Sequence, residues 1–184
     1  PGDGAAGIVA FKPGLDEEGR PIVALRGGAV LPLRNLLELA RGCSRLFLDL
    51  EGHEEARAVS ELLARGAGDG TDVTIASFAL GVLKMVARAA PGVSRCVKFA
   101  PGSNLPGMLV ACRYTGASYA HVCFRPLDKL AVTGLRRARV QVISPIATSL
   151  EEARQLIPLG IDVLAGASLE LLATALATQM SFGV

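Results

Sequence analysis

Two acidic side chains and one imidazole side chain stand at every second position after an apolar run in the first third of the chain. Asp49, Glu51 and His53 come directly after Leu46-Phe47-Leu48, and alternate residues of an extended chain project from one face. Carboxylate oxygens are the ligands that Ca²⁺ and Mg²⁺ prefer, and imidazole can transfer a proton. These residues therefore form a candidate metal site, with Asp49 as its candidate metal ligand.

Each of the two histidines also has a structural interpretation, which we favour. His53 can begin a helix, and Glu54 and Glu55 would then favour its N-terminus because carboxylates stabilise the first turn. His121 stands between apolar residues in the run Ser118–Cys123, which is typical of a histidine in a core or a barrel interior.

The segment Val140–Gly166 shows most clearly which elements position such residues. An apolar run that ends at Ser144-Pro145 predicts a strand, and Ser149 predicts a helix N-cap with Glu152 as its capping-box partner. The apolar run Val163–Gly166 predicts a second strand. Two strands joined by an amphipathic helix form a right-handed parallel unit.

The rest of the chain alternates in the same way, which predicts a parallel sheet of about seven strand–helix units. An additional hairpin strand is predicted at Pro21–Leu25, after a polar turn at Pro13–Arg20. Such units can close into a barrel or form an open doubly wound sheet. No GxGxxG follows the first strand and no GxxxxGK[ST] occurs, so nucleotide-binding fingerprints are absent. We therefore predict an α/β fold, a TIM-type (β/α) barrel that lacks one unit, as a single domain over residues 1–184.

Barrel enzymes carry their sites at the carboxyl ends of the strands. Two lysines near such ends would favour an anionic ligand there, whereas a solvated rim is the simpler interpretation. Ser77 and Ser144 also end strands and could donate to an anion, although serine at such a turn mostly caps a helix. The candidate ligand-binding residues at the barrel mouth are Lys12, Asp49, Glu51, His53, Lys98 and His121.

Composition limits the partners and the compartment. The chain has a net charge of +2 and scattered basic residues, which does not predict binding to nucleic acid. No apolar run approaches the roughly 18 residues that a membrane span needs. Four cysteines without CxxC spacing, Cys43, Cys96, Cys112 and Cys123, predict small buried side chains in a reducing intracellular compartment. The chain begins at Pro1 without Met, so we expect it to be processed, trimmed or partial, in the cytoplasm or in an organelle such as the mitochondrion.

Four segments, in their order and spacing, resemble the glycerophosphodiester phosphodiesterase family, which has a TIM-barrel fold. Glu18–Val23 resembles the family's Asp-Gly-x-Pro-Val-Val hairpin, and Leu31–Leu39 resembles its Pro-Thr-Leu-x-Glu-Val-Leu helix entry. Ile75–Phe78 resembles its Ser-Phe segment, and Leu150–Asp162 resembles its last third. The resemblance runs from Ile8 over nearly the whole chain.

The resemblance implies metal-assisted cleavage of a phosphodiester, in which carboxylates hold a divalent ion and histidines move protons. The Glu-x-Asp metal pair falls on Ala10 and Lys12, and a lysine there would repel the cation. The Glu-x-Lys motif falls on Asp49 and Glu51, so one carboxylate is kept and the lysine is reversed in charge.

The proton-transferring group is also absent from the aligned positions. The His-Asp motif after the hairpin falls on Leu25 and Arg26, and the substrate-facing Trp of the seventh strand falls on Ile143. The His-Arg-Gly motif of the first barrel unit would precede Ile8. A second alignment puts that motif on Leu25–Gly28 but leaves too few residues for the intervening units, so we reject it.

Three functions follow as hypotheses. The favoured one is a non-catalytic barrel without a cofactor that serves as a structural or interaction subunit of a larger protein assembly, with protein partners covering its open strand edges. The second is a phosphodiesterase that uses Ca²⁺ or Mg²⁺ and receives its catalytic histidine from an N-terminal segment. The third is a binding module that holds a small phosphorylated ligand with Lys12 or Lys98.

Overall fold

The chain divides into two compact units, Pro1–Cys96 and Val97–Val184. In the part of the chain that the structure describes, six strands belong to the larger of two sheets, and three belong to the smaller. The prediction of a single domain over residues 1–184 stays a prediction. The computed structural model describes residues 8–25, 28–42, 45–123 and 127–180.

Strands and helices alternate through both units, as the sequence predicts. In chain order, the first unit contains β1 (Ile8–Phe11), β2 (Pro13–Leu15), β3 (Pro21–Ala24), β4 (Val30–Pro32), α1 (Leu33–Leu39), β5 (Arg45–Asp49), α2 (His53–Ala64), β6 (Asp72–Ser77) and α3 (Leu80–Ala89). Strand β7 (Ser94–Phe99) leads into the second unit, which continues with α4 (Leu105–Thr115), β8 (Tyr119–Val122), α5 (Lys129–Arg137), β9 (Gln141–Ile143), α6 (Leu150–Leu156), a 3₁₀ helix (Ile157–Leu159) and α7 (Leu169–Met180).

In the first unit, β5 pairs in parallel with both β1 and β6. Leu48 of β5 lies opposite Ile75 of β6, and both side chains are fully buried. Val59 of α2 and Val82 of α3 are also fully buried. Strands buried on both faces read as continuous apolar runs, which is why the sequence pattern identified them.

Between β1 and α1 the predicted hairpin strand at Pro21–Leu25 is confirmed as β3, whereas the prediction for Pro13–Arg20 is wrong in part. The polar turn predicted at Pro13–Arg20 includes a strand, β2, and β2-β3-β4 form an antiparallel sheet. Asp16 makes the tight turn possible, because its Oδ1 accepts hydrogen bonds from the backbone N–H groups of Glu18 (3.1 Å) and Arg20 (2.7 Å). The bond from Arg20 is the largest cause of the lowered pKa of Asp16.

The second unit confirms the predicted helix start at Ser149. Its Oγ accepts a hydrogen bond from the backbone N–H of Glu152 (3.2 Å). The Glu152 carboxylate accepts hydrogen bonds from the N–H (2.7 Å) and hydroxyl (2.8 Å) of Thr148, one residue earlier than the capping box predicts.

The strand predicted at Val163–Gly166 is wrong in extent. This segment makes only isolated parallel bridges among the described residues, Ile143 with Val163 and Ala147 with Gly166. Side-chain oxygens act as acceptors where a continuous ladder would use backbone carbonyls. Asp162 Oδ2 accepts from the Val142 N–H (2.9 Å), and Ser144 Oγ accepts from the Ala165 N–H (3.0 Å). The predicted parallel direction is confirmed, but a continuous ladder does not form.

Two cysteines confirm the interpretation as buried apolar residues. Cys96 and Cys112 are buried and Cys123 is half-buried, none of the three in a disulfide, and Cys43 lies outside the described residues. Burial raises the pKa of the Cys112 thiol to about 11.

No described helix combines the length and apolarity that crossing a bilayer requires.

The raised pKa of Cys112 predicts a pH dependence of stability. A thiol whose folded pKa lies above its ordinary value of 9.0 contributes stability that is complete below that value and is lost as pH rises towards about 11. We expect the free energy of unfolding of Cys112→Ala to fall less than that of the wild type between about pH 8 and about pH 10.5 in urea titrations. Equal falls in the two proteins would contradict this assignment.

Candidate functional site

An ion pair joins the carboxyl ends of β1 and β5. Lys12 follows β1 directly, Glu51 lies just beyond β5, and the parallel register sets Phe11 beside Leu48. The Nζ atom of Lys12 is 2.8 Å from Oε2 of Glu51. This hydrogen bond is the largest cause of the raised pKa of Lys12.

Further carboxylates act on the same ammonium group. Asp49 and Glu55 also raise the pKa of Lys12 by charge attraction. Asp49 is half-buried at the end of β5, in register with Ala76. We call Lys12, Asp49, Glu51 and Glu55 the Lys12 cluster, in which one cation faces three carboxylates.

The ion pair of the cluster is exposed to solvent. The side chains of Lys12 and Glu51 are 62% and 66% exposed. Exposed pairs contribute little to stability because water screens the charges and both side chains lose conformational freedom. The pair therefore matters for charge compensation at the strand ends rather than for folding.

Glu55 was not predicted from the sequence as a member of this cluster. It occupies the third helical position of α2, whose N-cap is Gly52. Its carboxylate lies against Gly52, so that a side chain at residue 52 would displace it. Glycine at an N-cap followed by Glu at the third helical position is the local signal for a glutamate side chain that turns back towards the N-cap.

His53 begins α2, as the structural interpretation predicts. Because α2 starts at His53, the extended conformation does not continue beyond Glu51. Asp49, Glu51 and His53 therefore do not lie on one extended strand. The imidazole packs against Gly81 in the first turn of α3, with Nε2 3.3 Å from where a Gly81 β-carbon would lie. A ligand-binding role for His53 stays a prediction.

Lys98 and His121 lie on β7 and β8 in the second unit. The Cys123 N–H donates to the Phe99 carbonyl (3.1 Å), and in a parallel ladder this bond sets Lys98 beside His121 on one face. Both residues are half-buried, and Nε2 of His121 is buried. Their role as ligand-binding residues stays a prediction.

Ser77 and Ser144 use their hydroxyl groups within the fold. The Ser77 hydroxyl donates to the Leu50 carbonyl (2.6 Å), and its oxygen accepts from the Ala79 N–H (3.0 Å). The Ser144 hydroxyl donates to the Pro145 carbonyl (2.8 Å). Neither proton is directed at an anion, and Ser77 holds the ends of β5 and β6 together rather than capping α3, whose N-cap is Ala79.

The described residues at the strand ends do not fit a divalent ion. No group of three or more His, Cys, Asp or Glu side chains converges in a metal-binding arrangement among the described residues. Ca²⁺ requires about six to eight oxygen ligands. In the Lys12 cluster the carboxylate of Glu51 binds an ammonium group instead.

Removal of the Ser77 hydroxyl tests its structural role. We expect Ser77→Ala to lower the free energy of unfolding by about 1–3 kcal/mol, because a buried carbonyl and a backbone N–H lose their partner. Chemical denaturation measures the change, and Ser103→Ala is the matched control because its hydroxyl bonds to a carbonyl at an exposed position. A change in Ser77→Ala no larger than in the control would contradict the assignment.

Comparisons by sequence find no relative. No family model matches the chain, and no curated protein matches it.

Comparisons by structure find phosphodiesterases. A protein assigned as a glycerophosphoryl diester phosphodiesterase from Silicibacter pomeroyi has a TM-score of 0.80 at 14% identity, over 94% of this chain and 84% of its own. An Oleispira antarctica phosphodiesterase, solved with its product sn-glycerol-3-phosphate, has a TM-score of 0.78 at 15% identity, over 95% and 86%. A protein assigned as a glycerophosphodiester phosphodiesterase from Galdieria sulphuraria has a TM-score of 0.76 at 16% identity, over 95% and 85%.

These likenesses establish the fold. A closed TIM barrel has eight parallel strands, and the described residues supply six strands to the larger sheet. The predicted fold class is therefore confirmed: this chain has the α/β fold of the glycerophosphodiester phosphodiesterases, an incomplete TIM-type barrel.

Proposed function

We propose that this chain is a non-catalytic member of the phosphodiesterase-like barrels, a pseudoenzyme that serves as a structural or interaction subunit of a larger protein assembly. The observation that carries the proposal is the 2.8 Å ion pair between Lys12 and Glu51. In this pair the ammonium group of Lys12, a residue of the chain itself, supplies the positive charge at the strand ends.

Three substitutions at the aligned positions support the loss of chemistry. Ala10 has no ligand atom, and the ammonium of Lys12 repels a second cation. Leu25 cannot transfer a proton. Because a fold persists independently of its site, a barrel with these residues can keep its core and lose its reaction.

The first strand supports a protein partner. Val9 is 43% exposed, and Ala10 beside it is also exposed, whereas Leu46 and Phe47 opposite them are buried. Strands of parallel sheets are ordinarily covered on both faces. A protein partner that covers β1 would bury this apolar surface.

The compartment is part of the proposal. The thiols of Cys96, Cys112 and Cys123 are not in disulfides among the described residues, which supports a reducing interior, since cysteines in oxidising compartments mostly form disulfides. We propose the cytoplasm or an organelle, the mitochondrion included.

The second candidate function is a metal-dependent glycerophosphodiester phosphodiesterase in glycerol and lipid metabolism. The Oleispira antarctica neighbour with bound sn-glycerol-3-phosphate favours it, as does the carboxylate kept at Asp49. It requires Ca²⁺ or Mg²⁺ and a histidine from a segment preceding Ile8.

A phosphorylated ligand at Lys12 is less well supported. The carboxylates of Asp49, Glu51 and Glu55 all raise the pKa of Lys12, so their combined charge opposes an approaching phosphate. Lys98 stays a candidate for that role.

The two functions differ in their response to metal. We expect the full-length protein to release no glycerol phosphate from glycerophosphodiesters in Ca²⁺ or Mg²⁺ above a metal-free control, and its melting temperature to stay unchanged in either ion. The double variant Ala10→Glu with Lys12→Asp restores the acidic pair, and we expect Ca²⁺ to raise its melting temperature because binding to the folded state stabilises it. Metal-dependent release by the wild type would overturn the proposal.

A further inference from the structure

Two helices of the second unit end in the same type of turn. At the end of α4, the N–H groups of Gly116 and Ala117 donate to the carbonyls of Arg113 (3.3 Å) and Cys112 (3.0 Å). At the end of α5, the N–H groups of Arg139 and Val140 donate to the carbonyls of Arg136 (2.9 Å) and Leu135 (3.0 Å). Both are Schellman turns, which need one residue in the left-handed conformation.

The two turns fill that left-handed position differently. Gly116 has φ of 64°, as expected where glycine is the default residue. Arg139 has φ of 61° and is the only residue other than glycine with positive φ among those described. Backbone strain of this kind concentrates at functional sites, so the arginine side chain requires an explanation.

Both turns line one cavity of about 450 Å³. Arg113 and Arg139 line it from two different helix ends, and Ser118 lines it as well. The described residues that line it include no Asp or Glu. Arg136, by comparison, bonds to Asp162 with Nε 3.2 Å from Oδ1, whereas the structure shows no ion pair for Arg113 or Arg139 among the described residues.

Helix C-termini ordinarily repel anions, because their carbonyl oxygens carry partial negative charge. Here the carbonyls of Cys112, Arg113, Leu135 and Arg136 all accept backbone hydrogen bonds in the two turns. The Cys112 thiol at the cavity wall stays protonated at neutral pH, since burial raises its pKa to about 11. Arg113 and Arg139 are therefore the charged residues among those that line the cavity.

We propose that this cavity binds the phosphate group of a small molecule between the guanidinium groups of Arg113 and Arg139. Guanidinium is planar and binds phosphate oxygens in a bidentate manner. The volume is of the size that small-ligand sites have. The site lies in the second unit and does not depend on whether the barrel is catalytic.

Calorimetric titration with inorganic phosphate at constant ionic strength, with chloride as the reference anion, tests the site. We expect saturable binding that Arg113→Gln and Arg139→Gln each weaken about tenfold or more. Arg137→Gln is the matched control, because Arg137 is exposed on the same helix and does not line the cavity, and we expect its affinity to stay within about twofold of wild type.

Arg139→Gly separates binding from structure. Glycine adopts positive φ without strain, so we expect the melting temperature to stay the same or rise by about 2–4 °C while phosphate affinity falls about tenfold. A stable Arg139→Gly variant that binds phosphate as tightly as wild type would show the arginine to be only a helix end. Absence of saturable phosphate binding to wild type would also overturn the proposal.

Discussion

Opposite charges at the carboxyl ends of two paired strands constrain what this barrel can do. Parallel pairing of β1 with β5 brings Lys12 to Glu51. In the family that the sequence resembles, the position of Lys12 carries an acid and that of Glu51 carries a lysine. On that alignment both charges are reversed here, and our proposal is that attraction between the two strand ends is kept while a ligand for a divalent ion is lost.

The fold tolerates this exchange because its stability comes from elsewhere. Leu48, Ile75 and Val82 are fully buried in the first unit, and burial of such side chains contributes far more than an exposed ion pair. Ser77 joins the ends of β5 and β6 through the Leu50 carbonyl. The strand ends are thus held in place by buried apolar side chains and a hydroxyl–carbonyl bond that do not depend on the charge at residues 12 and 51.

Periodicity predicted the elements whose apolar residues face a core, such as β5, α2 and α5. Periodicity could not predict β2. The turn that follows this strand is closed by the Asp16 side chain, which accepts hydrogen bonds from the backbone N–H groups of Glu18 and Arg20, and such bonds leave no periodic pattern of apolar residues. Nor could it predict that Val163–Gly166 forms bridges instead of a ladder, since Asp162 and Ser144 occupy ladder positions. The reversed charges at residues 12 and 51 were visible in the sequence, but their pairing depends on the register of distant strands.

The ionisation of Lys12 is the most direct measure of this account. Nuclear magnetic resonance of the side chain, followed through a pH titration, gives its pKa in the folded protein. We predict a pKa above the ordinary value of 10.5, a return towards that value in Glu51→Gln, and no change when Ca²⁺ is added to the wild type. A pKa at or below 10.5, or a Ca²⁺-dependent displacement of the ammonium signal, would contradict the claim that Lys12 is the cation of this site.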